Sequence, residues 1–347
     1  MVDYYPLGGQ RRINEIVYAG SHDAAITKGG GNAKTQGLNI GDQANAGVRI
    51  FDLRIAGHAK KLGIGGAKLQ AFHADPAFQK STGRAGGLDT TRLLAGTWGM
   101  NLDAILAQAT AFVTGSNEFL ILKFDKCTNW GAIADECRQV CGNALYDRAR
   151  NLNLVTQDDL KGKVVALFAD KAFQALGNKT GIHGFKNLAG GGAYDANYDG
   201  LQYHGKGGTS AAKPSHYIQE NYDKQKALMK TAASGNPDVV GMMYWTTTGL
   251  FGDIKKRNRK MWKDRKRPML EQLFQDGMGD EINDRIPNGL DAGAPANAGV
   301  CRRFIPNFVM VDFADVDKCR YIYELNALTN TELAQVMAGL ADDASDA

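Results

Sequence analysis

Six short apolar runs recur along this chain, and most are separated by enough residues to hold a helix. They lie at 14–20 (NEIVYAG), 48–55 (VRIFDLRI), 119–125 (FLILKFD), 163–169 (KVVALFA), 239–245 (VVGMMYW) and 307–314 (NFVMVDFA). Each is rich in β-branched or aromatic residues and bounded by polar residues or glycine, the pattern of a strand buried on both faces. Strands of that kind, alternating with helices, require a mostly parallel sheet, open or closed into a barrel. Residues 90–115 carry apolar side chains at helical spacing and predict a helix broken into pieces at Gly96 and Gly99. Residues 215–234 predict an amphipathic helix ending before Gly235. The glycine-rich pieces 29–31, 62–66, 190–192, 205–208 and 288–299 read as loops. No repeat or linker divides the chain, so residues 1–347 are expected to form one domain.

Composition narrows the class. The chain is 44% hydrophobic and 22% charged, with 41 basic and 37 acidic residues. A net charge of +4 is too small to imply a nucleic-acid partner. No apolar run reaches the roughly 18 residues that span a bilayer. The first fifteen residues lack the apolar core of a signal peptide, so the chain is expected to be cytosolic or a mature form without its leader. Cys127, Cys137, Cys141, Cys301 and Cys319 include no Cys-x-x-Cys, which argues against a zinc site. Disulfides and buried thiols both remain open, and an odd count leaves at least one cysteine without an intramolecular partner.

Polar residues cluster at three apparent strand ends. His22 and Asp23 follow the first run. In the second run, alternation puts Phe51 and Leu53 on one face and Asp52 and Arg54 on the other. An acid and an arginine on an apolar strand need partners, because burying either alone is costly; an Asp52–Arg54 pair is one solution. His73 ends the run LQAFH, just before Asp75 and Pro76. Two histidines, an arginine and several carboxylates suit proton transfer around a held phosphate. Lys123 and Asp125 alternate onto one strand face. His58, His183, His204 and His216 read as surface or loop residues.

The order IVYAGSHDAAIT, then TQGLNIGDQANAGVRIFDLRI, then FHAD resembles the catalytic X-box of phosphatidylinositol-specific phospholipase C. Gln43, Gly47, Arg49, Asp52 and Arg54 match the family's middle element in order and spacing. The resemblance is clear over residues 14–75. It implies an irregular (β/α)8 barrel and cleavage of phosphatidylinositol, or of a glycosyl-phosphatidylinositol, to diacylglycerol and a cyclic inositol phosphate. It makes His22 the general base, supported by Asp312, and His73 the general acid, supported by Asp23. Arg54 stands where calcium-dependent members carry a metal-binding acid and metal-independent bacterial members carry arginine, which implies no metal and no cofactor. Glu220 and Tyr222 match residues that bind inositol, and Lys123 and Asp52 are further candidates. Ala169, with Lys171 close by, stands near the place where bacterial members have an arginine that contacts inositol. The implied setting is a secreted, mature monomer acting peripherally at a membrane, with a cytoplasmic location also open. Two other readings stand beside it. One is a catalytically silent phosphoinositide-binding protein. The other is a metal-dependent glycerophosphodiester phosphodiesterase, which would need acids where Arg54 sits.

The run 255–268 (KKRNRKMWKDRKRP) holds nine basic residues around Trp262. It reads as a solvated helix face, or as a contact for an anionic surface with Trp262 at the interface.

Overall fold

The computed structural model describes residues 1–59, 66–206, 217–247, 253–263 and 305–327. The chain enters through β1 (Tyr18–Ser21), α1 (Ile40–Ala46) and β2 (Val48–Leu53). Five strands follow: β3 (Ile55–Ala59), β4 (Ala67–His73), β5 (Gln79–Ala85), β6 (Leu88–Leu93) and β7 (Thr97–Asn101). The middle of the chain forms α2 (Leu102–Ser116), β8 (Leu120–Phe124), α3 (Trp130–Cys141), α4 (Gln157–Leu160), β9 (Val164–Ala169), α5 (Asp170–Ala175), β10 (Ile182–Asn187) and β11 (Gly200–Lys206). It ends in α6 (Tyr217–Ser234), β12 (Val240–Trp245), α7 (Ile254–Lys263), β13 (Phe308–Val311) and α8 (Val316–Glu324).

Eight strands close a parallel barrel in the order β1-β2-β8-β9-β10-β11-β12-β13, with β13 returning to β1. This is the expected TIM-type α/β barrel. It is irregular in two places. No helix separates β10 from β11, and the β2–β8 crossover carries a second sheet of order β5-β6-β3-β4-β7 before α2.

Both strand faces are buried, which explains the unbroken apolar runs. The barrel interior holds Tyr18, Ile50, Ile121, Val165, Leu201, Met242, Phe308 and Met310. Val48, Phe51, Leu53, Leu122, Phe124, Met243, Trp245, Val309 and Val311 face outward into the layer shared with the helices. Interior packing is tight at Gly20, where a Cβ would lie 2.2 Å from Met310 Sδ and 2.8 Å from Ile50 Cγ2.

Several expectations are corrected. Residues 90–93 and 97–101 are strand, in β6 and β7, and only 102–115 of the predicted stretch are helical; β-sheet pairing outweighs a helix-like spacing interrupted by Gly96 and Gly99. Gly205 lies in β11 rather than in a loop. Cys127, Cys137, Cys141 and Cys319 are free and buried, so no disulfide links them; Cys301 lies outside the described residues. His183 is buried in β10, where Nδ1 lies 2.7 Å from Asp199 and Nε2 lies 3.1 Å from the Tyr146 carbonyl. His58 is half-buried in β3 and stacks on Trp98 with ring centroids 4.2 Å apart, and His204 is half-buried in β11. His216, residues 264–268 of the basic run and the glycine-rich stretch 288–299 lie outside the described residues. No described helix is long and apolar enough to cross a membrane.

Candidate active site

Register brings the first two site residues together. Parallel pairing sets Tyr18 beside Phe308 and Gly20 beside Met310. Tyr18, Gly20, Phe308 and Met310 face the interior, and the next positions in each alternation are His22 and Asp312. His22 Nδ1 lies 2.9 Å from Asp312 Oδ1. That contact takes the Nδ1 proton and leaves Nε2 directed at Asp23 Oδ2, 3.3 Å away. Gln36, fully buried, holds the two strand ends in place: its Nε2 donates to the His22 and Val311 carbonyls at 2.8 and 3.1 Å.

A hairpin brings the second pair. Arg54 is the residue between β2 and β3, where the chain leaves the barrel. β4 runs back antiparallel to β3, and the Phe72 amide donates to the Arg54 carbonyl at 3.0 Å. His73 therefore arrives beside Arg54 at the barrel mouth. It belongs to the second sheet and not to a barrel strand. Its Nδ1 lies 2.8 Å from the Ala33 carbonyl, which leaves Nε2 facing Asp23 Oδ2 at 3.5 Å.

Asp23 is the meeting point. Its backbone is left-handed, with φ of +42°, a conformation that aspartate tolerates better than most residues. Its buried carboxylate has both histidines near Oδ2 and Arg54 Nε 2.9 Å from Oδ1. These are ion-pair distances, and among the described residues neither oxygen accepts an aligned hydrogen bond. Arg54 thus pairs with Asp23. Asp52 pairs instead with Lys123, its cross-strand neighbour in the β2–β8 register, at 3.0 Å. Lys123 Nζ also lies 3.6 Å from Asp125 and over the Phe185 ring, 4.4 Å from its centroid. The Tyr244 hydroxyl donates to Asp52 Oδ2 at 3.3 Å, and the Tyr244 ring meets His22 edge-on at 5.7 Å.

The electrostatics follow from these neighbours. Burial alone would lower the pKa of His22, but the Asp23 and Asp312 carboxylates raise it from 6.5 to about 9. Burial would raise Asp23, but Arg54 and the two histidines bring it down to about 2. Burial holds Asp312 above the ordinary carboxylate value, with His22 opposing. Burial would likewise lower Lys123, and Asp52 keeps it well above its ordinary value. An imidazole pair with both Nε2 atoms facing one point beside a guanidinium can give and take protons around a bound anion.

The other predicted residues sit elsewhere. Glu220 is exposed in the first turn of α6. Tyr222 is buried in the core between helices and barrel. Ala169 ends β9, and Lys171 lies in the first turn of α5. Trp262 is half-buried and packs edge-on against Tyr321 at 5.9 Å. Sequence reasoning missed Gln36, Tyr244 and Asn258, the last of which donates to Asp312 Oδ2 at 2.9 Å. A signal for Asn258 existed: it shares the helical face of Ile254 and Met261, where an apolar residue is the norm.

No protein-family model matches the chain, and no curated protein matches it in sequence. Solved structures do match. Phosphatidylinositol-specific phospholipase C from Listeria monocytogenes aligns with a TM-score of 0.52 at 13% identity, over 91% of this chain and 95% of that one. The Staphylococcus aureus enzyme of the same name aligns with a TM-score of 0.51 at 15% identity, over 93% and 95%. At such identities the likeness speaks for the architecture: the chain has the fold of the bacterial phosphatidylinositol-specific phospholipases C.

Proposed function

We propose that this protein is a phospholipase C that cleaves the glycerol–phosphate bond of phosphatidylinositol, or of its glycosylated form, without a metal ion. The observation that carries this reading is the convergence of His22 Nε2, His73 Nε2 and Arg54 Nε on the Asp23 carboxylate, within 3.5 Å. His22, once neutral, takes the proton of the inositol 2-hydroxyl. That oxygen bonds to phosphorus while the phosphorus–glycerol oxygen bond breaks. His73 gives its proton to the departing diacylglycerol oxygen, so one proton enters and one leaves. The cyclic product is reopened by water with the two roles exchanged. Attack within one molecule supplies much of the rate through proximity. Arg54 offers a permanent charge and several donors to the phosphate oxygens, the work a cation does elsewhere.

Asp312 fixes the His22 tautomer and favours the imidazolium as it forms. For His73 the Ala33 carbonyl on Nδ1 fixes the tautomer, and Asp23 favours the imidazolium from across the site. Lys123, Asp52 and Tyr244 form a polar floor for ring hydroxyls. Ala169 supplies no charge to the ring, so headgroup selectivity rests on that floor. The enzyme works peripherally at a membrane surface. The test is incubation with phosphatidylinositol and other phospholipids, with excess EDTA or with added calcium, and detection of cyclic inositol phosphate. Cleavage that survives chelation is expected; a strict calcium requirement refutes the role given to Arg54.

A further inference from the structure

We propose that Asn258 is a positioning residue for His22, acting through Asp312. It rests on the reading above only for its catalytic consequence. Asn258 is 1% exposed and lies on the inner face of α7, whose outer face carries exposed Lys255, Lys256, Arg259 and Lys260. Its Nδ2 donates to Asp312 Oδ2 at 2.9 Å and to the Ile254 carbonyl at 3.0 Å. Its side chain also meets the Thr247 amide and carbonyl, each at 3.4 Å. The two oxygens of Asp312 therefore have separate partners, His22 on Oδ1 and Asn258 on Oδ2. The carboxylate cannot turn without breaking one of them, so the plane of the His22 ring is set from α7.

The residue type fits this work. Asp312 is fully buried, and an oxygen left there without a donor would carry a large desolvation cost. A lysine would supply a donor but would cancel the charge that favours the His22 imidazolium. An amide supplies the donor and leaves that charge in place. The other charged groups around His22 are Asp23, Asp52, Arg54 and His73; none of them bonds to Asn258, so the effect can be isolated.

The experiment uses the full chain with Asn258→Ala and with Asn258→Leu, an apolar side chain of similar size. The His22 imidazole is followed by NMR titration and identified as the signal missing from His22→Gln. Both variants remove the donor from Asp312, which makes the carboxylate more basic, so the His22 midpoint should rise. With a soluble inositol phosphodiester, kcat should fall about 10–100-fold, the worth of a hydrogen bond to a charged group, with KM within about twofold. The acid limb of the pH–rate profile should move to higher pH with the titration. If Asn258→Ala does not melt cooperatively, Asn258→Leu, which keeps the volume without a donor or a charge, decides. An unchanged His22 midpoint in a cooperatively folded variant overturns the assignment, whatever happens to kcat. The titration needs no substrate, so it decides the point even if the wild-type protein cleaves no phosphatidylinositol.

Discussion

At the scale of the residue, the chemistry rests on who shares Asp23. A buried carboxylate beside two imidazoles and a guanidinium is stable only as a set, because each member offsets the desolvation of the others. This shapes the first prediction. His73→Ala removes the partly exposed member and should lower cleavage of phosphatidylinositol by about 10²–10⁴-fold while the protein still melts cooperatively. His22→Ala would leave Asp23 and Asp312 facing an empty space, so His22→Gln is the better variant and should show a loss of the same order. Near-normal turnover of either would refute the two-histidine mechanism. Gly20 carries a second prediction. Its Cβ has no room beside Met310, so Gly20→Ala should lower stability by about 1–3 kcal/mol, measured by urea denaturation.

At the scale of the element, the sequence motif divides into scaffold and chemistry. Gln43 is buried in α1, where its amide donates to the Ala24 and Leu38 carbonyls at 2.9 and 2.7 Å and accepts from Ser21 at 2.5 Å. Gly47 ends α1 with φ of +125°, and a Cβ there would press on Val2 and Cys319. Arg49 is buried, bound to Glu118 at 3.1 Å and to the Val2, Ala44 and Val48 carbonyls. These three hold β1 and β2 so that His22 and Arg54 meet. Arg49→Met should cost about 3–5 kcal/mol, because Glu118 is left charged and buried; a guanidinium chloride midpoint near wild type would refute the clamp. Helix α7 is both a wall of the site and a basic surface. Changing Lys255, Lys256, Arg259 and Lys260 to Gln should weaken binding to anionic vesicles and leave hydrolysis of a soluble phosphodiester intact. Binding by the unaltered protein should fade as salt shortens the Debye length from about 10 Å at 0.1 M to about 3 Å at 1 M. Equal vesicle binding by the variant would make this face a solvated helix and no more.

At the scale of the whole molecule, the site also sets how stability depends on pH. His22 is raised from 6.5 to about 9 by folding, so its contribution is complete below pH 6.5 and is lost as pH rises through about 9. Asp23 is lowered from 3.8 to about 2, so its contribution is complete above pH 3.8 and is lost as pH falls through about 2. Thermal melts should therefore decline between pH 6.5 and 9, and the decline should be smaller in His22→Gln; an identical slope would show that His22 holds no extra proton in the folded state. The sequence alone determined the strands buried on both faces, hence a parallel sheet, because burial on two faces leaves a continuous apolar run. It also determined the motif that names His22, His73 and Arg54. It left β10 and β11 unmarked, since IHGFKN and GLQYHGK interleave polar residues and glycine with apolar ones. Only the tertiary structure decided that Asp52 pairs with Lys123 and Arg54 with Asp23, because cross-strand register is not written in either strand. Only it placed His73 on a hairpin outside the barrel and Asn258 behind Asp312, 54 residues away in sequence. Local patterns encode which face of an element is buried; which buried faces meet depends on closing the barrel, and closure joins the first strand to the last.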